Sequence, residues 1–351
     1  MSTEQIDAAA GAHLVGGLKA PDAEAAMRTA VQILGHHLYA VPDGETGDRS
    51  QWIFWQLGKL TAIDGIEMAG SHANPDADNR DYVELPALAI GPSVTKLPAR
   101  ALGYADAAEE SYAIFLRLRE EGVVPDGLKF QVSIPTPYAT VVAWVREEDQ
   151  QRFFPVYADA IASEVRDIAL LVGGDLLLQY DVAVEIGALT GNFAAAGDLG
   201  EKRVVVSSLR DVLARTPPEA ECGVHLCYGD YKHHHFTIPQ DLSLCVELAN
   251  AVNETAAFIH MPVDRETGRD PAYFEPLRDL SARRLALGVI DYEGDEERTR
   301  ELAEAASAGS GGMEFAVATE CGMSRIDERG HGGPSLERLL ELHAQTAAPL
   351  R

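Results

Sequence analysis

Short apolar runs alternate along the chain with longer stretches whose apolar residues recur at helical spacing, the rhythm of strand-then-helix units in a parallel sheet. Eight runs read as strands: AHLVGG at 12–17, LYAVP at 38–42, LKFQVSI at 128–134, LLLQYDVAVEI at 176–186, GVHLCYG at 223–229, AAFIHMPV at 256–263, LALGVID at 285–291 and MEFAVATECG at 313–322. Between them, 155–172, 241–254 and 295–308 carry helical patterns, the last opening on acids that suit a helix N-terminus. Eight strands with intervening helices predict an α/β fold of the (β/α)8 TIM-barrel kind. No Gly-x-Gly-x-x-Gly follows a strand to argue for an open dinucleotide-binding sheet. The stretch 64–110, rich in Asp, Asn, Pro and Ala, reads as a loop insertion in a single domain spanning 1–351. The aromatic run WIFWQL at 52–57 reads as helix core.

Composition narrows the partners. Acidic residues outnumber basic ones by 55 to 29, and a formal charge of −26 repels nucleic-acid backbones and anionic lipid headgroups alike. No stretch approaches the roughly 18 to 20 apolar residues of a membrane span, and the first residues lack the basic and apolar regions of a secretory signal. The expectation is a cytoplasmic protein with no nucleic-acid and no membrane partner, acting on small molecules, with homo-oligomerisation left open. Cys222, Cys227, Cys245 and Cys321 then read as thiols or metal ligands rather than as a disulfide framework.

Ligands of a barrel collect beyond the C-terminal ends of its strands, and two of the runs end in metal donors. His225 and Cys227 stand two apart, on one face of their strand, and Cys321 closes the final run. One nitrogen and two sulfurs favour zinc, Zn²⁺, which takes such ligands tetrahedrally. Taken alone, His-x-Cys on an apolar strand is more often a buried core pair than a metal site, because free Cys is among the most buried residue types. Cys222 and Cys245 read as core positions. His233, His234 and His235 read as a solvated loop from which one ring could turn inward as a proton shuttle, since His titrates near neutrality.

HLCYGD at 225–230, followed by TECGM at 319–323, resembles the zinc motif of the cobalamin-independent methionine synthases, whose catalytic barrel belongs with that of uroporphyrinogen decarboxylase. Other stretches fall in the family's order. LVGG at 14–17, which contains Gly17, is similar to its Ile-Gly-Ser opening, and VPDGETGDR at 41–49 to its Gly-Glu motif. IPTPYATVVAW at 134–144 resembles its Gly-Pro-Val-Thr segment, with Thr140 and Trp144 matching, and LQYDVAVEI at 178–186 resembles Gln-Ile-Asp-Glu-Pro-Ala, with Gln179 and Asp181 matching. The resemblance runs from about residue 12 to 345. It implies zinc-dependent methyl transfer to a thiol, homocysteine or another amino-acid-like acceptor, with His225, Cys227 and Cys321 as the catalytic ligands.

The same resemblance implies that Glu45 and Asp181 hold the acceptor's ammonium group, that Gly17 lies in the substrate site, and that Trp144 forms a wall for the alkyl donor. The residues around Glu45, PDGETGD, read equally well as a plain β-turn. Where the family has a glutamate as fourth zinc ligand, this chain has Pro262, and His260, two residues earlier on the same strand face, is the candidate replacement. Val182 stands in place of a glutamate that helps bind folate, so folate is not implied as the donor. Two readings from other classes stay open: a lyase or isomerase of the uroporphyrinogen-decarboxylase type, and a non-catalytic binder of thiols or amino acids.

Overall fold

The computed structural model describes residues 6, 8–73, 84–230, 234–326 and 333–350. Among them the strands are β1 (Ala9–Ala12), β2 (Ala40–Pro42), β3 (Ile66–Ala73), β4 (Glu84–Ile90), β5 (Lys129–Pro135), β6 (Leu176–Val182), β7 (Glu221–Leu226), β8 (Ile259–Met261), β9 (Leu285–Ile290) and β10 (Phe315–Thr319). The α-helices are α1 (Ala23–Leu34), α2 (Trp55–Thr61), α3 (Tyr104–Glu120), α4 (Pro137–Trp144), α5 (Glu147–Val172), α6 (Val184–Leu189), α7 (Lys202–Ala214), α8 (Ser243–Val252), α9 (Glu296–Ser310) and α10 (Leu336–Thr346). Eight strands pair in parallel in the order β1, β10, β9, β8, β7, β6, β5, β2. A parallel bridge between Ala12 and Leu38, just before β2, draws the two ends of this sheet together. The architecture is the expected α/β barrel.

All eight barrel strands overlap the predicted runs, but the first does so only at Ala12. Beyond it the chain leaves the sheet, because side chains take over the role of a ladder: Gln131 Nε2 donates to the Leu14 carbonyl, and Ser133 Oγ and Gln179 Nε2 donate to that of Val15. Helix α5 starts at Glu147 rather than at Pro155, which lies inside it, and three acids occupy its first turn. Helix α9 begins as its acids predict, with Asp295 capping the amides of Glu297 and Arg298. Within 64–110, β3 and β4 form an antiparallel pair and α3 begins; residues 74–83 of that stretch lie outside the described residues. Arg146 N donates to the Leu88 carbonyl and Ile90 N to Asp149, fastening β4 beside the end of α4.

Period-two alternation sorts the strand side chains. On β5, Phe130 packs on Tyr112 and Phe115 of α3, whereas Gln131 and Ser133 point the other way, to the loop carbonyls just named. On β6, Leu178, Tyr180 and Val182 alternate with Gln179 and Asp181, all of them buried. The barrel interior is therefore lined with polar groups and survives because they bond to one another. Parallel register places Asp181 beside His225 and His225 beside His260, so three strands contribute one polar row near their C-terminal ends. No helix of the described residues is long and apolar enough to cross a membrane.

Candidate functional site

The polar row opens into a pocket at the C-terminal end of the barrel, the end where this architecture builds its sites. Gly17, Glu45, Trp144, Asp181, His225, Cys227 and Cys321 all line it. β7 ends at Leu226 and β10 at Thr319, which leaves Cys227 and Cys321 just past the sheet, where their sulfurs meet at 3.7 Å. One donor atom from each of His225, Cys227 and Cys321 falls within 4.8 Å of the others. Two zinc–sulfur bonds of about 2.3 Å at a tetrahedral angle set sulfurs roughly 3.8 Å apart, so the observed spacing fits a shared zinc ion. The hydrogen bond from the Cys321 thiol, helped by His225, lowers Cys227 to about 5 despite its burial, while Cys321 is held well above the usual thiol range. Burial works against a charge on His225, yet Cys227, Asp181 and Asp230 together raise it.

His260 is fully buried and does not reach the two sulfurs as His225 does; its Nδ1 lies 2.6 Å from Nδ1 of His225, and its Nε2 lies 3.1 Å from the Thr319 carbonyl. Cys222 and Cys245 are buried elsewhere, Cys245 donating to the Tyr228 hydroxyl. His234 is exposed and His233 lies outside the described residues. His235, by contrast, turns inward, with Nε2 at 3.2 Å from Glu320 and Nδ1 at 3.7 Å from Asp264. Burial disfavours its charge, but Glu320 and Asp264 raise it to about 9, which keeps the ring protonated at neutral pH.

Three loops that follow strands are stitched together around the rest of the pocket. Leu18 N donates to the Gly44 carbonyl and Met323 N to that of Gly17. A Cβ on Gly17 would stand 2.8 Å from Ser324 Oγ, and one on Gly16 would stand 2.2 Å from Glu45 Oε1, so both glycines are needed for the loops to close. Glu45 adopts φ 47° in the expected turn, where Asp43 accepts its backbone N–H. Burial, then the charge of Asp181, raises Glu45 well above the ordinary carboxylate range. Asp181 is raised as well by burial, partly offset by His225 and by hydrogen bonds from Gln179 Nε2 at 2.9 Å and Trp52 Nε1 at 3.1 Å. Two carboxylates forced together in a buried pocket make a site that binds a cation well.

The aromatic run at 52–57 departs from the helix-core expectation. α2 begins only at Trp55; Trp52 takes φ 51° and ψ −121°, lines the pocket with Ile53 and Phe54, and pins Asp181. A non-glycine residue in that region costs about 1–3 kcal/mol, supplied by tertiary contacts that a helical pattern does not reveal. Trp144 holds the same segment by donating to the Ile53 carbonyl, with Phe54 edge-on at 4.8 Å. Arg49 and Arg325 also line the pocket, unmarked by the sequence reading; Arg49 is paired with Asp43, and Arg325 with Asp230 and the Ser50 carbonyl.

Glu185, at the start of α6, is a further buried carboxyl. Thr136 Oγ1 donates to its Oε1, and its Oε2 is buried with no partner. Burial raises it from 4.5 to about 7, against the Thr136 hydrogen bond and with help from the charge of Asp181. Its folded value exceeds its unfolded one, so between those two pH values the folded protein holds a proton that the unfolded chain has lost. Stability then falls as pH rises through that window, by up to about 3 kcal/mol. Urea unfolding of Glu185→Gln across the window is expected to show a flatter pH dependence than wild type; parallel profiles would rule this origin out.

No family model matches the chain, and no curated protein matches it. Its fold is shared by solved structures. A B12-independent methionine synthase from Shewanella sp. W3-18-1, in complex with selenomethionine, is 13% identical, with a TM-score of 0.63 over 96% of this chain and 98% of that one. The putative vitamin-B12 independent methionine synthase from Listeria monocytogenes is 13% identical, with a TM-score of 0.54 over 96% and 98%. A methyltransferase from Methanosarcina mazei is 12% identical, with a TM-score of 0.54 over 97% and 94%. At these identities the likeness establishes a common barrel with methionine-synthase-like and methyltransferase proteins.

Proposed function

We propose that the protein transfers a methyl group to the thiol of an amino-acid-like acceptor, homocysteine or a close analogue, with zinc as its cofactor. The observation that carries this reading is the convergence of His225, Cys227 and Cys321 in one pocket that Glu45 and Asp181 also line. The fold shared with methionine-synthase-like proteins supports it, as does the selenomethionine in the Shewanella complex, an amino acid whose chalcogen bears a methyl group.

His225, Cys227 and Cys321 would hold the metal, and zinc there supplies the positive charge under which a thiol gives up its proton near neutral pH. Two thiolates and a neutral imidazole leave the centre uncharged overall. Glu45 and Asp181 grip the acceptor's ammonium, whose charge offsets the burial that raises both carboxyls. Gln179 and Trp52 fix Asp181 for this role through their N–H groups. Trp144 and Phe54 wall the site against water and flank the space for the donor. Little acid–base work is then required: aligning donor carbon and sulfur is worth roughly 7 to 11 kcal/mol of the barrier.

The test is zinc content of protein purified without chelators, measured by inductively coupled plasma mass spectrometry, together with mass-spectrometric detection of methylated homocysteine from a panel of methyl donors. Stoichiometric zinc and a methylated thiol support the proposal. Absence of stoichiometric metal sinks it and brings the lyase reading forward, while zinc and thiol uptake without product from any donor points to a binder.

A further inference from the structure

His260 has both ring nitrogens engaged, and their partners determine which of them carries the proton. Nε2 faces the Thr319 carbonyl at 3.1 Å, and a carbonyl oxygen only accepts. A proton on Nδ1 instead would set the Nε2 lone pair against that oxygen. The ring is fully buried among the carbonyls of Thr319 and Leu226 and the imidazoles of His225 and His13, an arrangement that favours the neutral form. A neutral His260 with its proton on Nε2 presents a lone pair at Nδ1, 2.6 Å from Nδ1 of His225. That contact is a hydrogen bond only if His225 donates its Nδ1–H, so the neutral ring of His225 is bare at Nε2.

We propose that His260 is a positioning residue for the metal centre: by accepting the Nδ1–H of His225 it reserves Nε2 of His225 for the metal and fixes the ring's direction. The inference rests on the zinc reading of His225, Cys227 and Cys321. It gives His260 a different task from that of a fourth ligand, since neither of its nitrogens is left for an ion. The fold is arranged for the relay: register sets His225 beside His260, and Thr319, which holds the far nitrogen, stands two residues before Cys321 on β10 and donates its hydroxyl to the Cys321 carbonyl. One chain of hydrogen bonds thus orients two of the three metal donors from behind. Partners that orient a ligating imidazole in this way typically contribute about 10- to 100-fold in metal affinity.

Two measurements on the full chain test this. Long-range proton–nitrogen correlation spectra of metal-free, histidine-labelled wild type, taken above the pH at which His225 loses its imidazolium proton and with His225 assigned by its loss in His225→Gln, should show His225 protonated at Nδ1 and bare at Nε2. A proton on Nε2 overturns the proposal whether or not the protein binds zinc. If wild type holds no zinc, the metal reading fails while the spectrum still decides the hydrogen bond. Zinc competition titrations should then find His260→Leu weaker than wild type by roughly 10- to 100-fold. His260→Asn, whose amide oxygen replaces the Nδ1 acceptor, should recover most of that loss. Cobalt-loaded forms of both variants should keep the thiolate charge-transfer band and ligand-field bands of wild type. Ligand-field bands altered in both would identify His260 as a ligand, and equal weakening in both would reduce it to packing; either result overturns the proposal.

Discussion

Cys321→Ser is expected to purify with almost no zinc, against about one ion per chain in wild type, because it removes one of three donors that converge on a single point. The loss in affinity should exceed the roughly 10- to 100-fold typical of changes behind a ligand, since a serine hydroxyl stays protonated where a thiol ionises. Specificity is built into the control. Cys245 is fully buried, bonded to the Tyr228 hydroxyl and outside the group formed by His225, Cys227 and Cys321, so Cys245→Ser should keep its zinc while losing some stability. Metal content read beside thermal unfolding of the metal-free forms separates the two effects. Equal zinc in Cys321→Ser and wild type would remove the metal centre from this pocket.

Asp181→Asn is expected to lower kcat/KM for an amino-acid thiol by about 2–4 kcal/mol, near 30- to 1000-fold, because it takes one of two carboxylates from a desolvated ammonium site. Most of that should appear in KM, since the ammonium is gripped equally in the ground state and the transition state. An acceptor thiol of the same length without an amino group supplies the discriminating comparison. The variant should affect it little, because that thiol makes no use of the Asp181 charge. Equal losses for both acceptors would mean that Asp181 acts by holding Trp52 and Gln179 in place rather than by meeting an ammonium.

The barrel was legible in the chain because strand and helix periods are local properties. Seven of the eight apolar runs announced their strands and the first touched its strand only at Ala12, and their number argued for a closed parallel sheet over an open one. The candidate donors His225, Cys227 and Cys321 were legible for the same reason: a residue type at a strand end needs no knowledge of the neighbouring strand. The spacing of His225 and Cys227 follows from the pleat, and Cys321 closes the last run. Acids at 295–297 fixed the start of α9 through the capping that Asp295 performs.

Only the tertiary structure decided which of these groups meet, and how. Register between β6, β7 and β8 aligned Asp181, His225 and His260, and a one-residue slip in any pair would have turned the row out of the barrel. The Thr319 carbonyl took one nitrogen of His260 and His225 met the other, contacts that the spacing of the strand could not foretell. Trp52 left its helical pattern because the pocket offered Asp181 as a partner for its N–H. His235 turned in between Glu320 and Asp264, acids brought to it by the ends of other strands. In every case the deciding energy is a contact between residues far apart in the chain. Local periodicity carries the direction of a side chain but not the identity of what it will face.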